Sequence, residues 1–212
     1  MKTLLFALLT IFSLHTYSQE YIPDEIIVDG ITYEYRYHHM EYYFKYHTAR
    51  RPVVPQDSTV VGRNYVATFR IDKDRMMLHD LRIKTHAAAN DYTLSVLPKI
   101  INNENEKFLN WINGLFYVGI GEKLEQSVNE WDIEYTDYLV FEVKKGIVVR
   151  KDYFNNYQMK AFKDYQYERF HRTADYQKLF QRLKKQTHMS DWQIESHILK
   201  NIIYYSKKNM LK

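Results

Sequence analysis

Two hydrophobic periods, each confined to one part of the chain, predict an α+β fold: an antiparallel, curved sheet followed by a three-helix segment packed on it. Alternating apolar residues, interrupted by turn signals, occupy residues 25–149, with short helices between them. Stripes spaced three and four residues apart occupy residues 152–208. A third observation fixes the middle of the sheet. In NYVATFRIDKDRMMLHDLRIK, from Asn64 to Lys84, Tyr65, Ala67, Phe69 and Ile71 share one face, and Asn64, Thr68 and Arg70 mostly share the other. Asp72 to Arg75 is a short polar turn, after which Met77, Leu81 and Ile83 resume the apolar face. The stretch reads as an antiparallel hairpin near the centre of the sheet.

In chain order, Lys2 precedes an apolar run from Leu4 to Leu14 that is too short to span a bilayer. This is the pattern of a secretory signal peptide over residues 1–18, with Thr16 and Ser18 as the small residues that place cleavage before Gln19. Residues 19–212 then form one α+β domain of an exported, soluble protein, periplasmic or secreted. No later run is long enough for a membrane span.

Glu25 to Val28 and Ile31 to Tyr37 flank Asp29-Gly30, a pair suited to the positive φ values of a type I′ turn. The second strand puts Tyr33, Tyr35 and Tyr37 on one face. From His38 to His47 the period switches, with Met40, Tyr43, Phe44 and His47 on one side of a short helix that Arg50-Arg51-Pro52 ends. Pro52 to Gly62 reads as a loop. Asn90 or Asp91 is expected to cap a short helix through Leu94 and Leu97, stopped by Pro98. A polar loop from Ile100 to Lys107 follows, then one or two bent strands within Leu109 to Ile120. Tyr138 to Val143 alternates with Leu139, Phe141 and Val143 inward, and Lys144-Lys145-Gly146 turns it back into Ile147 to Val149. After Lys151 three helices are expected. Met159, Phe162, Tyr165 and Phe170 mark the first; Tyr176, Leu179, Phe180 and Leu183 the second; Ile194, Ile198, Ile202 and Tyr205 the third, with Ser190 and Gln193 as its capping box.

Zero cysteines in an exported protein leave stability to core packing. The 20 Tyr and 11 Phe, against 6 Gly and 4 Pro, supply that core with large amphipathic side chains. Charge is divided: residues 19–149 hold 15 Lys/Arg and 20 Asp/Glu, whereas residues 150–212 hold 14 and 6. The halves can attract each other, or the basic half can meet an acidic partner. Export makes nucleic acid an unsuitable partner.

Candidate chemistry is sparse. His38 and His39 diverge by about 100° on a helix, and His39 and His47 stand roughly 12 Å apart, so neither pair chelates alone. A metal site would need His38 or His39 with His79 and Asp80. With no Cys and no Gly-x-Ser-x-Gly elbow, the sequence carries no motif for nucleophilic catalysis, and Gly119-Ile120-Gly121-Glu122-Lys123 lacks phosphate-loop spacing. Glu130, Asp132 and Glu134 alternate, and on one strand face would raise one another's pKa values as glycosidic chemistry requires. Tyr33, Tyr35, Tyr37, Tyr42, Tyr43 and Tyr46 form an aromatic group suited either to a core or to stacking on sugars and apolar side chains.

IIVDGITYEY, MEYYFKYHTARRP, STVVGRNYVATFRIDKDRMMLHDLRI and YLVFEVKKG together resemble a group of small bacterial proteins. These share an opening hairpin, an aromatic helix ending in Arg-Pro and a Tyr-Val-Ala-Thr hairpin. The resemblance covers roughly Ile26 to Gly146 and departs at Val61, where the group carries an aromatic residue. It implies a shared sheet and transfers no catalytic residue and no cofactor. The favoured expectation is a non-enzymatic binding or interaction protein of the bacterial cell envelope, with a protein or glycan partner. The alternatives are an envelope-polymer hydrolase using a carboxylate pair and a periplasmic immunity protein.

Overall fold

The computed structural model describes residues 22–52, 65–84, 92–124 and 133–206. Three two-residue turns set the strand register. Asp29-Gly30, Lys73-Asp74 and Lys145-Gly146 all have positive φ, from 46° to 84°, the combination whose twist matches that of paired strands. They join β1 (Asp24–Val28) to β2 (Ile31–Tyr35), β3 (Tyr65–Asp72) to β4 (Arg75–Lys84), and β7 (Asp137–Lys144) to β8 (Ile147–Asn155). Two more strands, β5 (Tyr92–Ser95) and β6 (Gly114–Gly119), complete an eight-stranded sheet of order β2-β1-β3-β4-β8-β7-β6, with β5 on β4. The β3–β4 hairpin is central, as its pattern predicts.

The sheet is largely but not wholly antiparallel. β1 and β3 run parallel, because β2 and helix α1 (His39–Tyr46) carry the chain back before β3 begins. β4 and β8 meet only where their two turns abut: Arg75 lies opposite Ile147, and the Met76 and Val148 N–H groups donate to Gly146 and Asp74 at 2.7 Å. The end strands of the order, β2 and β6, come back into contact. The sheet therefore curls around a first core that contains Tyr35, Phe69, Leu78, Leu81 and Phe141.

A bulge corrects the apolar face expected for β4. Thr68 pairs with Asp80 and Phe69 with Leu78, so His79 is the extra residue and the alternation changes phase there. Met76 and Leu78 are buried before the bulge, Leu81 and Ile83 after it, and Met77 is only half-buried.

β7 is buried on both sides. Leu139, Phe141 and Val143 face the first core as expected, while Tyr138 and Val140 join Leu115 in a second core beneath the helices. α3 (Asn156–His171) lies on β7 and β8, and α6 (Ile202–Tyr205) on β6. α4 (Ala174–Gln186) and α5 (Asp191–Lys200) pack together, each also touching α3. Ile194, Ile198 and Ile202 are fully buried, and the Ser190–Gln193 capping box is present.

Three further expectations are corrected. Tyr92–Ser95 is a strand, because its backbone pairs with β4; Pro98 sits in the first turn of α2 (Leu97–Ile100), where its missing N–H costs nothing. β8 continues to Asn155, whose side chain caps α3 with Gln158, so the helices begin later than Lys151. On α3 the buried stripe is Met159, Gln166 and Phe170; Tyr165 is exposed, since the helical period from Met159 selects Gln166 instead. The Leu109 to Ile120 stretch holds one strand, β6, and the Ile100 to Lys107 stretch includes a short 3-10 turn, Glu104–Lys107. The expected signal peptide and the loop beyond Pro52 lie outside the described residues. No helix among the described residues is long and apolar enough to cross a membrane.

Candidate functional site

The corner where β2 runs into α1 gathers most of the polar and aromatic groups with binding potential. Asp24, at the start of β1, is fully buried; one carboxylate oxygen accepts the Ala67 N–H at 2.8 Å and the other lies 3.3 Å from His38 Nδ1. His39 faces inward. Its Nε2 shares a 2.7 Å hydrogen bond with the Tyr35 hydroxyl, its ring stacks on Tyr37, and the edges of Phe69 and Phe116 close in at 5.4 and 4.9 Å. Desolvation by these rings, helped by neighbouring His38, pushes the His39 pKa down to about 3. The imidazole is thus neutral at physiological pH. Burial, with Asp24 nearby, pushes the Tyr35 hydroxyl well above its ordinary value, so it keeps its proton.

A groove opens beside this corner, along the seam where β2 and β6 face each other. Its larger end is a cavity of about 630 Å³ lined by His39, Glu41, Tyr42, Trp111 and Asn113. Its smaller end, about 280 Å³, is lined by Glu34, Tyr117, Gly119, Lys200 and Asn201. Arg36, Tyr37, His38, Ile203 and Tyr204 line both, so the two cavities adjoin across these side chains, two of which belong to α6.

Trp111 anchors an aromatic ladder on the larger end. It stacks on Tyr42 (centroids 5.7 Å apart, planes 28°) and on Tyr43 (6.3 Å, 27°), and Tyr42 continues to Tyr46 at 5.0 Å. Tyr42 is 56% exposed, Tyr46 62% and Tyr204 58%. Glu41 is held by a bidentate Arg51 at 2.9 and 3.1 Å and by the Tyr65 hydroxyl at 2.8 Å.

The seam is bridged at its smaller end by side chains. Lys123 donates to Glu34 at 2.7 Å and the Tyr135 hydroxyl donates to it at 3.1 Å. Burial pushes the Glu34 carboxyl up, but Lys123, Tyr135 and Arg36 outweigh it and hold the pKa below its usual value. Gly119 is required here because the Tyr135 ring lies flat against its Cα, in the space a Cβ would occupy.

The structure divides the residues that the sequence singles out. Of the tyrosines, Tyr35 is fully buried, Tyr33, Tyr37 and Tyr43 pack on the first core, and Tyr42 and Tyr46 are on the surface. His38, His39, His79 and Asp80 are not brought together. His38 is committed to Asp24, His39 to Tyr35, and His79 is exposed at the bulge. Asp80 accepts from Ser95, from Arg82 and from the Leu81 N–H, which outweigh its burial and lower its pKa. Among the described residues no three His, Asp or Glu side chains are grouped as metal ligands. Glu130 and Asp132 lie outside the described residues, and Glu134 is exposed, taking a 3.4 Å contact from Asn156.

Trp111, Arg36, Asn113 and Tyr204 are groove residues that sequence reasoning missed. Trp111 lies inside a stretch read only as strand, and the Tyr204-Tyr205 pair carried a usable signal. Tyr205 continues the buried helical stripe and bonds His197 at 3.0 Å, which leaves its neighbour pointing outward. Comparison with known proteins found no matching family model, and neither a curated protein nor a solved structure matched the chain.

Proposed function

We propose that the chain is an exported, non-enzymatic binding protein of the bacterial cell envelope whose β2–β6 groove holds a segment of glycan. The observation that carries this reading is the stacking of exposed Tyr42 on half-buried Trp111 at the larger end of a groove with a polar rim. The C–H faces of sugar rings stack on planar aromatic surfaces, and their hydroxyls need donors and acceptors at the margin. Arg36, Glu41, Asn113 and Asn201 provide those. A cavity of this size is within the range that small ligands occupy.

Calorimetry with soluble oligosaccharide fragments of envelope polymers tests the reading. Native protein should bind at least one class of fragment. Tyr42→Ala, at an exposed ring, should weaken binding roughly tenfold, equivalent to about 1.4 kcal/mol. Release of shortened fragments would favour the hydrolase alternative, and no binding to any fragment would overturn the proposal. The export half is tested separately, since the envelope-fraction protein should begin at Gln19 by mass spectrometry and intact Met1 there would contradict it.

A further inference from the structure

Charge is distributed unevenly along the groove. At the larger end the carboxylate of Glu41 is matched by the bidentate Arg51. At the smaller end one carboxylate, Glu34, faces three cations. Lys123 donates to it at 2.7 Å, Arg36 lies 3.8 Å from it, and Lys200, at the exposed end of α5, lines the same cavity. Glu34 is the one acid among the described residues that lines this end. Asp24, 3.3 Å from His38, is fully buried and lines neither cavity. The wall of the smaller end therefore carries more positive than negative charge, and Arg36, half-buried, brings it to the junction with the larger end.

We propose that the glycan segment held in the groove is acidic, with the carboxylate of a uronic acid unit seated at the smaller end on Arg36 and Lys200. This rests on the glycan reading above and adds the charge of the sugar. A guanidinium offers parallel N–H donors that match the two oxygens of a carboxylate, and an ammonium adds a point charge beside it. In a partly desolvated cleft such attraction is stronger than on an open surface. A neutral sugar leaves the excess positive charge uncompensated there, whereas a carboxylate reduces it. Because the Tyr42–Trp111 stack lies at the larger end, the charged unit and the stacked unit are different rings of one oligosaccharide.

Calorimetry with the full chain tests this, using tetragalacturonate and its fully methyl-esterified form, which share every ring and differ in charge. The acid should bind at least roughly tenfold more tightly than the ester, as one charge-assisted contact implies. Arg36→Gln and Lys200→Gln should each lower that ratio several-fold. Lys200 is exposed, so its variant keeps the test decisive if Arg36→Gln disturbs the fold. Lys178→Gln removes one charge from an exposed position on α4 that does not line the groove, and should leave the ratio as it is. Equal binding of acid and ester overturns the inference and leaves the glycan reading standing. Binding of a neutral N-acetylglucosamine tetramer but of neither galacturonate form does the same. A ratio that falls as far in Lys178→Gln as in Lys200→Gln assigns the preference to net charge and also overturns it, as does displacement of the acid by glucose 6-phosphate more readily than by glucuronate. If no oligosaccharide binds, both readings fall together.

Discussion

A chain ending at Asn155, which keeps all eight strands and removes α3 to α6, is expected to lose cooperative folding. The reason is that β7 and β6 each have two buried faces. Leu115, Tyr138 and Val140 are at most 3% exposed in the intact protein, and all three would meet water once α3 and α6 are gone. Exposing side chains of this size costs about 1.5–3 kcal/mol each, and the sum is comparable with the entire stability of an ordinary domain. The truncated chain should bind a hydrophobic dye, lose near-ultraviolet dichroism and aggregate while keeping strand signal in the far ultraviolet. Salt gives a control. The junction is made of Met159, Phe170, Ile194, Ile198 and Ile202 against the sheet, so 0.5 M salt should destabilise the full chain only slightly despite the opposite charges of the two halves. A truncated chain that melts cooperatively as a monomer would show that the first core suffices alone.

Much of this architecture is legible locally. Asp29-Gly30 and Lys145-Gly146 announce their turns because the required positive φ restricts residue choice, and Ser190 with Gln193 announces a helix start because capping is a short-range hydrogen-bond exchange. What local patterns do not contain is the outcome of pairing. The His79 bulge exists because β3 and β4 must satisfy each other's register. Tyr92–Ser95 is a strand only because β4 offers it an edge. The groove is less legible still. Its walls come from β2, α1, the Trp111 turn, β6 and α6, and no sequence period links residues 36, 111 and 204. The tyrosine group was visible as composition. Which rings fill the core and which face water was decided by the direction in which α1 leaves β2.

The second large effect expected is acid sensitivity centred on His39. In the unfolded chain a histidine titrates near 6.5, whereas the ring cage of Tyr37, Phe69, Trp111 and Phe116 lowers the folded value to about 3. Between those values the unfolded chain binds one more proton than the folded chain. Stability is therefore complete above about pH 6.5 and falls as the pH drops towards 3, with a ceiling of about 1.4 kcal/mol per pH unit. The interval from pH 6.5 to 4.5 isolates this group from the carboxylates. Glu34, Asp80 and Glu106, held below their ordinary values by their partners, add acid sensitivity of the same sign only below about 4.5. Urea unfolding at intervals of half a pH unit should show this slope in the native chain. His39→Gln preserves a partner for the Tyr35 hydroxyl but cannot take up the proton, so it should flatten the slope between pH 6.5 and 4.5 whatever its packing costs at neutral pH. If the slope persists in His39→Gln, the proton is taken up elsewhere and the cage around His39 is not its cause. The same titration bears on the groove, because His39 forms part of its wall. The folded imidazole stays neutral over the interval in which stability declines, so ligand binding at Tyr42 and Trp111 should hold until the fold itself is lost.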